Sequence, residues 1–301
     1  LGVTNEFTLG AAGELENGWT WNYGINLDPA NTAEGGAALN DDSKLTLSGN
    51  FGTVAVYGSD GGLNVSGNFN ANAYAWITDT AFVEGKIEPN NISDYMNMQY
   101  HTPAGLLPLG LQAKIAYAPS GAKLVQSGNA SNTAASATIG NMTMYQVSLA
   151  PIDGLAVSAS YGTLDAGNGV TTDEQKDESG AVAIKYATGP ITIGVSRSLD
   201  SPLISHVTVV PAATVEYYEN TNYSVGFAVN ENLSVSYSNE SSEQNFVTTS
   251  TVGYDQDTQS FQAAYTMGGM TIALARTDYD NVGYPKNGDV QETLLAVTMA
   301  F

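Results

Sequence analysis

The chain is 301 residues long and carries 30 Asp plus Glu against 9 Lys plus Arg, with two His and no Cys. Charged residues make up only 13%, about half the ~25% of an ordinary soluble domain, although the hydrophobic share of 43% is ordinary. The scarcity of basic residues behind the net charge of −21 excludes nucleic acid as a partner, because that needs clustered Lys and Arg. The absence of Cys removes disulfides, thiolate metal sites and a cysteine nucleophile.

In chain order, the dominant pattern is period-2 alternation, the mark of half-buried strands. Phe7, Leu9, Ala11 and Leu15 share one face, opposite Glu6, Thr8, Gly10, Ala12 and Glu14. Glu16-Asn17-Gly18 then supplies the Asn-Gly pair of a tight hairpin. Trp19, Trp21, Tyr23, Ile25 and Leu27 alternate on the return. The pattern recurs with Leu45 and Leu47 turning through Asn50-Phe51-Gly52 to Val54 and Val56, and with Met96, Met98 and Tyr100 returning as Leu111, Ala113, Ile115 and Tyr117. Tyr145, Val147 and Leu149 pair with Leu155, Val157, Ala159 and Tyr161, and Val182, Ile184 and Tyr186 with Ile191, Ile193 and Val195. Tyr223 to Val229 turn into Leu233, Val235 and Tyr237. Phe261, Ala263 and Tyr265 turn through Gly268-Gly269 into Ile272 and Leu274, and Leu295, Val297, Met299 and Phe301 close the chain. About fifteen strands result.

Short turns at 16–18, 50–52, 103–109, 151–154, 188–190, 231–232 and 267–269 alternate with long polar loops at 29–42, 59–93, 120–140, 164–179, 200–220, 241–258 and 279–289. One end therefore carries turns and the other loops, as an up-and-down antiparallel barrel requires. The polar parity is mostly Gly, Ala, Ser, Thr, Asn and Gln, with too few charges to coat a soluble exterior. Inverting the barrel solves this, with the apolar and aromatic parity against lipid and the polar parity around a wet lumen. Unpaired backbone groups are not tolerated in lipid, so the sheet has to close. Trp19, Trp21, Tyr117, Tyr161, Tyr186 and Tyr265 fit interfacial girdles. Even strand counts are the rule for such barrels, and a strand before Leu1 is expected to make sixteen; residues 207–218 are the other place for one.

Five stretches carry a family resemblance: GELENGWTWNYGINL at 13–27, KLTLSGNFGTVAVYG at 44–58, YMNMQYHTPAGLLPLGLQAKIAYAPSG at 95–121, AAYTMGGMTIALARTDYDNVGY at 263–284 and TLLAVTMAF at 293–301. They resemble the general diffusion porins of Gram-negative outer membranes, particularly the alphaproteobacterial type. The resemblance implies one transmembrane β-barrel domain over 1–301 with sixteen strands, a water-filled pore and a homotrimer in outer-membrane lipid and lipopolysaccharide. It also implies that the long loop 59–93 folds inward as the constriction, and that terminal Phe301, with Met299 and Val297, is an assembly signal.

On this reading the constriction charges are Asp60, Asp79, Glu84, Lys86 and Glu88, and the loop aromatics Phe69, Tyr74, Trp76 and Phe82 pack it onto a wall. Lys44, Lys114 and Lys185 lie on lumen parity and are the expected wall charges, while Arg197 and Arg276 fall on the apolar parity. No arginine cluster lines the wall. Acids exceed bases by 21, and carboxylates around confined water lower the barrier for cations; weak to moderate cation preference is expected. Asp41 and Asp42, with Asp173, Glu174, Asp177 and Glu178, are candidate oxygen ligands for Ca²⁺; no other cofactor is expected. Only His101 and His206 could serve acid–base chemistry, far apart in sequence, and no hydrolase elbow, zincin, P-loop or dinucleotide motif occurs. An enzyme is not expected. A substrate-specific channel or a non-conducting structural or adhesive barrel remain the alternatives. Small residues Gly2, Ala11 and Gly13 would allow close approach of a second copy.

Overall fold

A computed structural model describes residues 7–27, 42–58, 60–75, 89–119, 139–166, 173–202, 204–205, 214–248 and 253–299. Its strands are β1 (Phe7–Glu14), β2 (Thr20–Leu27), β3 (Ser43–Gly49), β4 (Gly52–Gly58), β5 (Asn97–His101), β6 (Gln112–Ala118), β7 (Ile139–Leu149), β8 (Leu155–Ala166) and β9 (Asp173–Gln175). They continue as β10 (Asp177–Thr188), β11 (Ile191–Ser201), β12 (Ile204–Ser205), β13 (Val215–Ala228), β14 (Leu233–Phe246), β15 (Gln256–Met267), β16 (Met270–Asp280) and β17 (Val290–Met299). Fifteen of these form one antiparallel sheet in chain order, and only β9 and β12 stand apart, paired with each other. Among the described residues no helix is long and apolar enough to cross a membrane, which leaves crossing by strands untouched.

The hairpins follow from local chemistry. Gly18 adopts φ +80°, a conformation that costs a Cβ-bearing residue, while the Asn17 side chain accepts a hydrogen bond from the Trp19 N–H at 3.1 Å. The register Gly13↔Trp21 and Glu14↔Thr20 then places the β1 and β2 apolar residues on one face. Gly52, at φ +103°, turns β3 into β4 where a Cβ would stand 2.2 Å from the His101 carbonyl oxygen.

Burial is the inverse of a soluble protein's. Along β11, Ile191, Ile193, Val195 and Leu199 are exposed, whereas Gly194, Ser196, Ser198 and Asp200 are buried. On β15, Phe261 and Tyr265 face out and Thr258, Ser260 and Gln262 face in. Leu295, Val297 and Met299 are 68, 55 and 57% exposed. Such a band is stable only against lipid.

The strands run further at the loop end than the sequence pattern implied. β8 reaches Ala166, β10 starts at Asp177, β14 continues to Phe246 and β15 begins at Gln256, all inside spans read from sequence as loops. Ser238, Glu240 and Ser242 face in, while Asn239, Ser241 and Glu243 lie on the outward parity. Both faces are polar there, so hydropathy stops alternating although the hydrogen-bond ladder continues. The wall is uneven, with β1–β6 having 5 to 8 residues and β13 and β14 having 14 each.

Candidate functional site

The inner face carries a second layer made from the chain between β4 and β5. Residues 60–75 contain Asn, Gly, Ser and Ala with few apolar anchors, so their backbone groups need partners outside the segment. The wall supplies them strand by strand. On β7, the Gln146 amide donates to the Leu63 carbonyl at 3.1 Å. On β8, Ser160 Oγ accepts from the Val65 N–H at 3.2 Å and Ser158 Oγ from the Asn68 amide at 3.0 Å. On β13, Ser224 Oγ donates to the Phe69 carbonyl at 2.8 Å and accepts from the Ala71 N–H at 2.9 Å. Ser236 Oγ of β14 accepts from the Ala73 N–H at 2.8 Å. Gln262 of β15 ends the row, its Oε1 accepting from the Tyr74 and Ala75 N–H groups at 3.1 Å each while its Nε2 donates to the Ala75 carbonyl at 2.8 Å.

Two glycines let the segment lie directly on the sheet. A Cβ on Gly194 would sit 1.7 Å from the Phe69 carbonyl oxygen, and one on Gly226 would sit 2.3 Å from that of Ala71. Leu63, Val65 and Phe69 are fully buried. Leu63, Ile92 and Tyr95 join Ala116, Ala118, Met142, Met144 and Leu164 in one apolar cluster. The inner parity of β6 and β7 is therefore apolar where the segment docks, a local break in the polar rule that marks the contact.

The outgoing and returning arms are tied together. Asn91 Oδ1 accepts from the Leu63 and Asn64 N–H groups at 2.9 and 3.2 Å, and the Asn64 amide donates to the Pro89 carbonyl at 2.9 Å. The Asn97 amide of β5 donates to the carbonyls of Asp60, Ile92 and Tyr95. On the return, the Asn90 amide donates to Asp177 Oδ1 at 2.9 Å and Ser179 Oγ to the Asn90 carbonyl at 3.3 Å. Burial, and then the nearby Asp94 and Asp177 carboxylates, push the Tyr95 hydroxyl up to about 12.

Asp60 lies at the root of the segment, its Oδ2 3.8 Å from Lys44 Nζ of β3. Lys114 of β6 stands in register with His101 of β5, whose Nε2 is 2.8 Å from Gln99 Oε1. Lys185 of β10 is in register with Gly194, where Phe69 crosses. Lys44, Lys114 and Lys185 thus share the inner face without forming one cluster. Asp79, Glu84, Lys86 and Glu88 lie outside the described residues, as do Trp76, Phe82, His206, Asp41, Gly2 and Phe301. Met299 and Val297 sit on the outward face of β17. Phe69 is buried against the wall and Tyr74 is partly exposed. Among the described residues no group of three or more His, Asp or Glu side chains is placed to hold a metal ion.

The two arginines face outward, each with polar company. Arg197 pairs with Glu219. Arg276 donates to Thr293 Oγ1 at 2.9 Å and to Gln291, and lies 3.4 Å from Asp278. These partners meet the charge that open hydrocarbon would penalise by about 2 to 4 kcal/mol. The residues that sequence reading missed are Gly194, Gly226, Ser158, Ser160, Ser224, Ser236 and Gln262. Glycine on inward parity within otherwise regular strands was their one readable signal.

A family model described as Gram-negative porin matches residues 1–298. Among solved structures, a porin refined at 1.8 Å resolution is 14% identical, with 98% of this chain and 92% of that one covered at a TM-score of 0.63. The anion-selective porin from Comamonas acidovorans is 12% identical over 99% and 90% of the two chains, at a TM-score of 0.66. A mutant of the Rh. blastica porin is 12% identical over 98% and 89%, at a TM-score of 0.61. At these identities the likeness is one of fold. No curated protein matches the chain in sequence.

Proposed function

The chain belongs to the Gram-negative porin family, and from that premise we propose a water-filled outer-membrane channel that passes small hydrophilic solutes by passive diffusion with weak to moderate preference for cations. The observation that carries this reading is the inverted wall. Outward residues of β11 and β15 are mostly apolar, with Ile191, Ile193, Val195, Leu199, Phe261 and Tyr265 exposed, and the inward ones are Ser, Thr, Asp, Gln, Gly and Ala. Such an inner face hydrates permeating solutes without binding any one of them strongly. The loop 59–93 is the constriction in this proposal, anchored through its segment 60–75 on that face, with Asp60, Asp79, Glu84, Lys86 and Glu88 as its charges.

The preference for cations follows from charge. The fold does not set selectivity, since the structural neighbour from Comamonas acidovorans is an anion-selective porin. Lys44 is offset by Asp60, and the chain as a whole carries −21. Carboxylates near confined water raise local cation concentration. A homotrimer is part of the proposal, with the short strands β1–β6 toward the partners and Ala11 of β1 admitting close approach, whereas the Trp21 indole covers Gly13. Catalysis is no part of it. The test of selectivity is the reversal potential across a KCl gradient at neutral pH. A potential of the sign for K⁺ preference is expected, and one of the sign for Cl⁻ preference refutes the electrostatic assignment.

A further inference from the structure

The loop between β16 and β17 closes on itself. The Val282 N–H donates to the Gly288 carbonyl at 2.9 Å and the Tyr284 N–H to that of Asn281 at 2.7 Å. The Asn281 side chain accepts from the Asn287 N–H at 3.0 Å and donates to the Asp255 carbonyl at 2.9 Å. Asn281, Tyr284 and Asn287 all have positive φ, of 55°, 69° and 62°. Asn tolerates that region, but for a tyrosine it is an outlier that persists only when its surroundings enforce it.

Those surroundings lie on the inner wall. The Tyr284 hydroxyl is 2.7 Å from Ser242 Oγ of β14. Its ring stands 5.6 Å from that of Tyr218 of β13. The neighbouring Gly283 N–H donates to Gln256 Oε1 of β15 at 2.8 Å. Ser242 shares parity with Ser236, Gln256 with Gln262 and Tyr218 with Ser224, and those three partners hold residues 69–75 on the inside. The loop therefore leaves β16 and leans back across β15 and β14 to β13, about 14 Å at ~4.8 Å per strand. It rests there against inward-parity side chains, and Lys286 Nζ lies 5.8 Å from the Tyr254 ring centre on the adjoining loop.

We propose that residues 281–289 form a second, loop-end narrowing in series with the 60–75 segment, in which Tyr284, held by Ser242 and set beside the ring of Tyr218, limits the size of neutral hydrophilic solutes entering from the loop side. This inference rests on the channel reading. Tyr284 is a specificity-determining residue here because it occupies the entrance, and the left-handed backbone aims it inward.

Polymer exclusion in planar bilayers tests the proposal. Graded polyethylene glycols are added to one compartment at a time, and the largest polymer that still lowers single-channel conductance is recorded for each face. Tyr284→Gly keeps the positive φ and removes the ring, so its loop-side cut-off should shift to larger polymers while its turn-side cut-off stays. Tyr284→Phe keeps the ring and loses the Ser242 bond, so its loop-side cut-off should remain closer to that of the unaltered protein. Equal cut-offs for the glycine variant and the unaltered protein overturn the proposal. A shift on both faces also overturns it, by assigning the effect to the deeper segment. Absence of conductance in the unaltered protein overturns the channel reading itself, whereas conductance with unchanged cut-offs overturns only the second narrowing.

Discussion

Gly194→Ala is the substitution that most directly challenges the seating of the 60–75 segment. Its Cβ would lie 1.7 Å from the Phe69 carbonyl oxygen, 2.5 Å from the carbonyl carbon and 2.9 Å from Cα. All three are backbone atoms, so no flexible side chain can yield. Ordinary contact begins near 3.4 Å, and the segment must therefore retreat by about 1.7 Å toward the pore axis. That movement strains both bonds to Ser224, each worth about 1 kcal/mol net. It also lifts part of the buried Phe69 side chain, whose full burial is worth roughly 1.5 to 3 kcal/mol. The cost to the seat is then on the order of 3 kcal/mol, while the ladders of β11 with β10 and β13 stay intact. The variant should fold, as judged by heat-modifiable migration, and show smaller, noisier single-channel steps. Ser224→Ala removes the same two bonds without pushing, and its mean step should not shrink. Equal step size and noise in folded Gly194→Ala and the unaltered protein would refute the reasoning.

Gln262→Ala removes three hydrogen bonds from residues 74 and 75, about 1 kcal/mol each, and should lower the voltage at which channels close, with little change in thermal stability. Leu274→Arg puts a charge on the lipid face of β16 and should lower stability in urea by about 2 to 4 kcal/mol, whereas Thr46→Arg on the inner face of β3 should leave stability nearly unchanged and shift the reversal potential toward anions. Tyr95, with its hydroxyl pushed up to about 12, ionises later in the folded state than in the unfolded one. Its contribution is complete below the ordinary value near 10 and is lost as pH rises from there to about 12, in total about 2 to 3 kcal/mol at 1.36 kcal/mol per unit. Tyr95→Phe should flatten that part of the stability curve measured between pH 9 and 12.

The hairpins, the inverted faces and the inward lysines were legible because each depends on parity alone. Lys44, Lys114 and Lys185 alternate with outward apolar neighbours, and one strand suffices to place them. The loop-end extensions of β14 and β15 were not legible, since Ser241, Ser242 and Glu243 carry no contrast between faces. The seat of the 60–75 segment was hidden for another reason. Val65 meets Ser160 and Tyr74 meets Gln262 across 95 and 188 residues, and a serine on lumen parity reads the same whether it faces water or a backbone N–H. Met142 and Met144, apolar residues on the polar parity of β7, were the visible anomaly, and they lie where Ile92 docks. Likewise the glycine in Asn281-Val282-Gly283-Tyr284 suggests a turn, but nothing in its sequence says that the loop leans inward.

The central claim is an open, aqueous path through a wall that binds no solute tightly. Single-channel conductance of the purified protein, measured in planar bilayers as KCl is raised from millimolar to molar, tests it most directly. Discrete steps whose size grows nearly in proportion to salt concentration are the expected result, because ions then move through water and not between saturable sites. Steps that saturate at low salt would contradict the diffusion channel, and protein that inserts without conducting would contradict a channel of any kind.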